Sequence, residues 1–163
     1  MFTLALTGYN GEQRIVDRTS EGLIGSRTLI DVLATLTATE KLSLILNYDY
    51  AWQSRAQLAD GNVGRAKWNG AAGYINYKFN DLWRASLRGE IFDDNGGFRT
   101  GVDQRWKEVT FTVAYIPYFN DKIEIRAEVR RDFSNVASFA NKNNSGSRDY
   151  QQSFAVEAFY RFG

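Results

Sequence analysis

The 163-residue chain has no cysteine and no histidine, one proline and one methionine, and its 20 Lys and Arg residues are balanced by 19 Asp and Glu residues. Without Cys and His there is no disulfide framework, no ordinary zinc site and no Ser-His-Asp or Cys-His nucleophile system. Any catalysis would have to run on carboxylates, Lys, Tyr or Ser. The near-neutral charge lacks the basic surplus that a nucleic-acid partner demands. No apolar run approaches the roughly 18 residues of a membrane helix, which excludes a helical span. The start, FTLALTGYN after Met1, lacks the basic stretch and apolar core of a secretory signal. Either none is encoded or the chain begins after it. The length predicts one domain over 1–163.

What the chain does contain is alternation at period two, with almost nothing at the helical spacing of three and four. In 122–133, Lys122, Glu124, Arg126, Glu128, Arg130 and Asp132 fall on one face and Ile123, Ile125, Ala127, Val129, Arg131 and Phe133 on the other. Pleating alone separates charge from grease. The same reading gives strands at 2–9, 28–38, 42–53, 67–79, 83–94, 105–118 and 152–162, eight in all. Their connections alternate in length. Tight turns at 39–41, 80–81 and 120–121 are interleaved with long polar segments at 10–27, 54–66, 95–104 and 134–150. A meander with its short turns at one end and its long loops at the other predicts an eight-stranded antiparallel up-and-down transmembrane β-barrel, and an even strand count closes such a sheet without an edge.

A soluble ligand-binding barrel would share this pattern with the apolar face turned inward. The aromatics argue for lipid outside. Tyr77, Phe79, Trp83, Tyr115, Tyr160 and Phe162 fall near the short-turn ends, while Tyr48, Tyr50, Trp52, Phe133 and Phe154 fall toward the long loops, with aliphatic residues between. Such bands match the two interfaces of a bilayer. The stretches also reach the 9 to 11 residues needed to cross it at a tilt. The amphipathic last strand, with aromatics near its end, looks like the signal read by the outer-membrane insertion machinery.

With the apolar face outward, the lumen receives Arg84, Arg88, Glu90, Glu108, Glu124, Arg126, Glu128, Arg130, Asp132, Glu157 and Arg161, along with Asp31, Asp49, Thr110, Thr112, Trp68 and Tyr74. Buried charges are costly alone, so these predict a lattice in which Arg forks meet carboxylates on adjacent strands. Eight strands enclose room for side chains only. Bulky inward groups such as Trp68, Tyr74, Phe92 and Phe159 should therefore plug the barrel, leaving a largely occluded structural membrane barrel with little conductance.

Three further groupings have both a chemical and a plainer reading. The Asp93-Asp94-Asn95-Gly96-Gly97 run supplies oxygen ligands of the kind calcium takes, but it lacks the distal Glu of a calcium loop and reads as a solvated turn. Glu90 and Glu128 could suggest glycosidic acid/base chemistry, yet Arg-neutralised wall carboxylates explain them. Arg105, Lys107 and Arg131 lie outward near the long loops, where they could hold lipopolysaccharide phosphates or simply snorkel. No enzyme activity, metal or cofactor is expected.

The run Arg88-Gly-Glu90-Ile-Phe92-Asp93-Asp-Asn-Gly96-Gly-Phe-Arg99-Thr100-Gly101, with Glu108-Val-Thr110 and Arg126-Ala-Glu128-Val-Arg130-Arg-Asp132-Phe-Ser134, resembles strands of the OmpL-like β-barrel porin family. The segment from Ala66 to Tyr77, AKWNGAAGYINY, is similar to the strand preceding them, so the resemblance covers about 28–134. It implies a channel for small solutes in the outer membrane of a Gram-negative bacterium, its lumen lined by the Arg and Glu positions above. The partners it implies are the lipid bilayer and the insertion machinery. Family members are longer, so the chain reads as a shortened member or a fragment. A passive diffusion pore, as a larger or oligomeric barrel, is the alternative.

Overall fold

The computed structural model describes residues 1–15, 23–141 and 147–162. It is all-β, with eight long strands in one antiparallel sheet: β1 (Phe2–Ile15), β2 (Leu23–Thr37), β3 (Leu42–Gln57), β4 (Val63–Lys78), β5 (Trp83–Asn95), β6 (Gln104–Tyr115), β7 (Ile123–Ser134) and β10 (Tyr150–Tyr160). Each pairs with its neighbour in sequence. Between β7 and β10, β8 (Phe139–Ala140) and β9 (Ser147–Arg148) form a small hairpin of their own.

The eight predicted strands are present, but several run longer than the alternation indicated. β1 and β2 continue through most of 10–27, where Gly, Asn and Ser carry the ladder without an apolar signature. The rest of that predicted loop, 16–22, lies outside the described residues, as does 142–146 of the predicted loop 134–150. β6 stops at Tyr115 instead of continuing to Tyr118, because Pro117 has no N–H to donate to a ladder. The short turns are built by side chains. Asn80 Oδ1 accepts from the Leu82 and Trp83 amides, both at 2.9 Å, Asn120 Oδ1 accepts from Lys122 N at 3.0 Å, and Thr39 Oγ1 accepts from Leu42 N at 3.0 Å. These local bonds reverse the chain where a longer strand would otherwise form.

Burial follows the pleat. Outward residues such as Leu46, Val109, Phe111 and Phe154 are exposed, whereas Glu108, Thr110, Glu124 and Asp132 on the other face are buried. That ionic face is concave. A cavity of about 520 Å³ near the short turns is lined by residues from β2 through β10, including Thr37, Ser43, Asn76, Arg84, Glu124 and Glu157. The sheet therefore wraps round its charges. The ends do not meet: β1 and β10 are the two edges and are not paired with each other. The inside of an eight-stranded barrel holds side chains only, and here loop residues lie on the concave face as well.

One bulge bends the wall. The β3–β4 register shifts between Gln53 and Ala56, with Arg55 at φ 51°. A Cβ on Gly25 would lie 2.0 Å from the Ser54 carbonyl oxygen beside this bulge, which leaves room only for hydrogen. Gly25→Ala should force β2 away from β3 and cost about 1–3 kcal/mol as an overpacking defect. A lowered urea midpoint of the detergent-solubilised protein would show it.

Candidate functional site

The concave face is organised by height. Register places Arg84, Ala114, Arg126 and Glu157 in one row across β5, β6, β7 and β10. The next rows hold Ser86, Thr112, Glu128 and Ala155, then Arg88, Thr110, Arg130 and Ser153, then Glu90, Glu108, Asp132 and Gln151. In the row of Arg88 and Arg130 and the row of Glu90, Glu108 and Asp132 the charges are of one sign, whereas the first row sets Glu157 opposite Arg126. Like charges directly opposite one another repel, so each of the two like-charged rows must be neutralised by the one above or below.

The ion pairs do this by running along strands. Arg88 bonds Glu90 on its own strand and Glu108 on the next, and its Nε donates to Tyr74 Oη at 3.0 Å. Arg126 Nε meets Glu124 at 2.7 Å and Arg130 meets Asp132 at 2.7 Å, both two residues away on β7. Two pairs cross strands: Arg88 to Glu108, and Arg161 to Glu124 at 2.5 Å. The sequence led to a lattice between strands, and alongside these two cross-strand links stand three i, i+2 pairs within a strand, which the alternation did not indicate. The cause is the layering, which puts opposite signs one pleat repeat apart along the chain. Glu108, Glu124 and Asp132 are only 5%, 3% and 4% exposed, so their partners are obligatory.

Neutral donors complete the face. Thr112 donates to Glu128 at 2.8 Å, Thr110 donates to Glu108, and Gln151 donates to Asp132 at 3.0 Å. Asn47 donates to Asp31 at 2.5 Å, and Asp31 lies opposite Asp49 across β2 and β3. Arg126 stacks on Phe159 at 4.4 Å and Arg88 on Tyr74 at 5.5 Å. Outside the wall, on a short turn, Lys78 pairs with Asp81 at 2.6 Å and holds that carboxyl below its usual range.

At the long-loop end the concave face is filled by Trp68 and Phe92, which the sequence singled out, and by Leu58 and Phe98, which it did not. The segment between β5 and β6 folds onto it, with Phe98 against Trp68 at 5.5 Å and Leu58 and Phe92 packed on the cluster of Ala51, Ala56, Ala66 and Trp68. Asp94 secures that segment. Its Oδ2 accepts from Arg99 N at 2.9 Å, Thr100 N at 2.7 Å and Thr100 Oγ1 at 2.9 Å, and Gln104 extends the chain, its Nε2 donating to Thr100 Oγ1 and its Oε1 accepting from Ser134 Oγ. The solvated-turn reading of Asp93 to Gly97 is therefore replaced. Asp94 is buried as the loop's anchor, and Asp93 is paired with Arg105 at 2.5 Å. Gly97, at φ 66°, lets the loop touch Ala59, where a Cβ would come within 2.6 Å. Asp followed five and six residues later by Arg99-Thr100 was the available signal, but only the folded loop shows that their amides point back.

Most outward aromatics fall as bands, but Phe154, expected toward the long loops, lies with Phe111 in the middle row of Val129, Leu87 and Ile75. Near the short turns Tyr77 meets Phe79 at 5.0 Å, Trp83 meets Tyr115 at 4.7 Å, and Tyr160 meets Phe162 at 4.9 Å. Toward the long loops Tyr50 meets Trp52 at 5.6 Å, while Tyr48, Phe133 and Tyr150 share one row of the register. Arg105, Lys107 and Arg131 are on this outer face, as their parity required.

An up-and-down antiparallel sheet with ions on its concave side and grease on its convex side is the architecture of a porin-type β-barrel. The family "Putative beta-barrel porin-2, OmpL-like" matches residues 1–162, and the chain belongs to it. A solved NanC porin, in a rhombohedral crystal form, is similar in fold at 15% identity with a TM-score of 0.62, over 96% of this chain and 79% of that one. No curated protein matches the sequence. Family and fold together point to a channel-type protein of the outer membrane rather than an enzyme.

The two ways of pairing predict unequal losses. Arg88→Leu strands both Glu90 and Glu108 and should cost about 3–5 kcal/mol, the usual result of breaking a buried pair from one side. Arg126→Leu should cost less, because Glu124 keeps Arg161. The temperatures at which the two variants lose their folded gel mobility should fall in that order.

Proposed function

We propose that this chain is an integral outer-membrane barrel of porin type whose layered ionic face lines the lumen, and that the lumen is largely occluded at its long-loop end. The observation that carries the reading is the β5–β6 segment. It lays Phe98 over Trp68 and is tied down through Asp94, so the filling is part of the folded wall. The open volume of about 520 Å³ lies at the opposite end, against the short turns. A solute entering from the short-turn side would meet the charged rows of β5, β6, β7 and β10 and then a packed apolar cap.

The bilayer placement rests on the convex face. Leu87, Ile75, Val129 and Phe111 form its middle band, exposed in the isolated chain and flanked by the aromatic bands. An arginine placed there at the bilayer midplane costs about 2–4 kcal/mol. Leu87→Arg should therefore reduce folding into vesicles by roughly that amount, whereas the polar replacement Ser86→Thr on the concave side should leave it intact. Equal insertion of Leu87→Arg would overturn the lipid-facing assignment.

A second reading, a working diffusion pore, draws on one observation: the unjoined edges β1 and β10 permit a wider ring. Single-channel recording in planar bilayers separates the two. The occluded reading predicts no steady open current from the native chain and a measurable one after Phe98→Ala combined with Asp94→Asn, which frees the loop. Steady current from the native chain would sink it.

A further inference from the structure

The outer wall carries a basic patch with an unusual setting. Across β6, β7 and β10 the register stacks Lys107, Phe133 and Tyr150 in one row, Val109, Arg131 and Gln152 in the next, and Phe111, Val129 and Phe154 in the third. Arg131 lies over Phe133 at 4.9 Å and over Tyr150 at 5.0 Å, and Arg148 of the β8–β9 hairpin approaches the same Tyr150 ring at 5.4 Å. Two guanidinium groups are thus brought to one aromatic ring. Arg105 is neutralised by Asp93, but among the described residues no ion pair involves Lys107, Arg131 or Arg148. The Arg148 Nε is buried and has no hydrogen-bond partner among the described residues.

A groove of about 650 Å³ joins this patch to the apolar wall. It is bounded by Ala140 and Arg148 of the hairpin and by Val129, Tyr150, Gln152 and Phe154 of the adjoining strands. Arg148 is the cation that lines this groove, Arg131 adjoins it through the shared Tyr150 ring, Lys107 stands in the neighbouring row, and the far end is Val129 and Phe154, the latter 68% exposed. A free anion would use only the first end and an apolar molecule only the second.

We infer that this groove binds a phosphorylated membrane lipid of lipopolysaccharide type, its phosphate held by Lys107, Arg131 and Arg148 and its acyl chains laid along Val129 and Phe154. The inference rests on the bilayer reading above, since it needs the long-loop aromatic band at an interface. Basic groups beside a membrane surface favour anionic headgroups by roughly a fivefold factor each. Guanidinium forks also match two phosphate oxygens at once. The buried Arg148 Nε supplies a donor already desolvated for that contact, and Tyr150 keeps both arginines oriented while unloaded.

The test uses the full chain refolded into phosphatidylcholine vesicles containing either diphosphoryl lipid A or lipid A stripped of both phosphates, with a third sample given inorganic phosphate. Diphosphoryl lipid A should raise the temperature at which folded gel mobility is lost and should stay bound in native mass spectra. Stripped lipid A and inorganic phosphate should do neither. The Lys107→Gln/Arg131→Gln/Arg148→Gln variant should bind diphosphoryl lipid A roughly a hundredfold more weakly, the product of three such factors, while Arg105→Gln should bind it like the native chain. Equal protection by stripped lipid A overturns the phosphate contact, and protection by inorganic phosphate alone overturns the lipid as its source. A chain that fails to float with the vesicles overturns the bilayer reading and this site with it. Flotation without discrimination between the lipids overturns the site alone.

Discussion

In hydrocarbon no water satisfies a backbone amide or a charged side chain, so every such group in a spanning segment must find its partner within the protein. That constraint organises this chain at two levels. Backbone groups are satisfied by long ladders between strands adjacent in sequence, which the tight turns at Asn80 and Asn120 and the ordered β5–β6 segment make cheap to form. Side chains are sorted by the pleat, with Glu108, Glu124 and Asp132 turned to the concave side and Leu87, Val109 and Val129 to the convex one. A one-residue slip of any strand would exchange the two sets, so the ionic face fixes the register as firmly as the apolar face does.

The layering of charge follows from the same pleat. With Glu90, Glu108 and Asp132 abreast, neighbouring strands repel at that height and the compensation must come from the layer of Arg88 and Arg130. Pairing within a strand needs no particular neighbour. Arg130 with Asp132 and Arg126 with Glu124 form on β7 as soon as it is extended. Such pairs remove the cost of bare charge before the sheet has wrapped. Arg88 is different, since it joins β5 to β6 and is the cross-link of the lattice.

Much of this was legible in the sequence because a period of two is unambiguous over ten residues. The residues on each face, the order of the strands and the alternation of short and long connections all follow from it. Two things were not legible. The extension of β1 and β2 through Asn10, Gly11, Gly25 and Ser26 carries no contrast between faces, so nothing in the pattern marked it as strand. The β5–β6 segment looked like a polar excursion because Asp94, Gly97 and Thr100 are turn residues by composition. Their role is set by where the loop folds, through amides that no side-chain pattern encodes. The pairs within a strand, such as Arg130 with Asp132, were not legible for a related reason: alternation shows which face a residue takes but not the height at which its neighbours stand.

The unjoined edges connect these points. β1 and β10 run in opposite directions, since an even number of alternating strands separates them, so each can take an antiparallel neighbour on its free side. An edge of that length cannot remain bare in lipid. What decides the width of the finished ring is how much the concave side must hold. The charge pairs impose no width, because most are internal to a strand and survive any curvature. The cap of Phe98, Trp68 and Leu58 does impose one, because it adds a loop to an interior that eight strands leave room only for side chains to fill. The segment that packs on Trp68 at the long-loop end therefore bears on the width of the ring, since it takes up interior space between the strands.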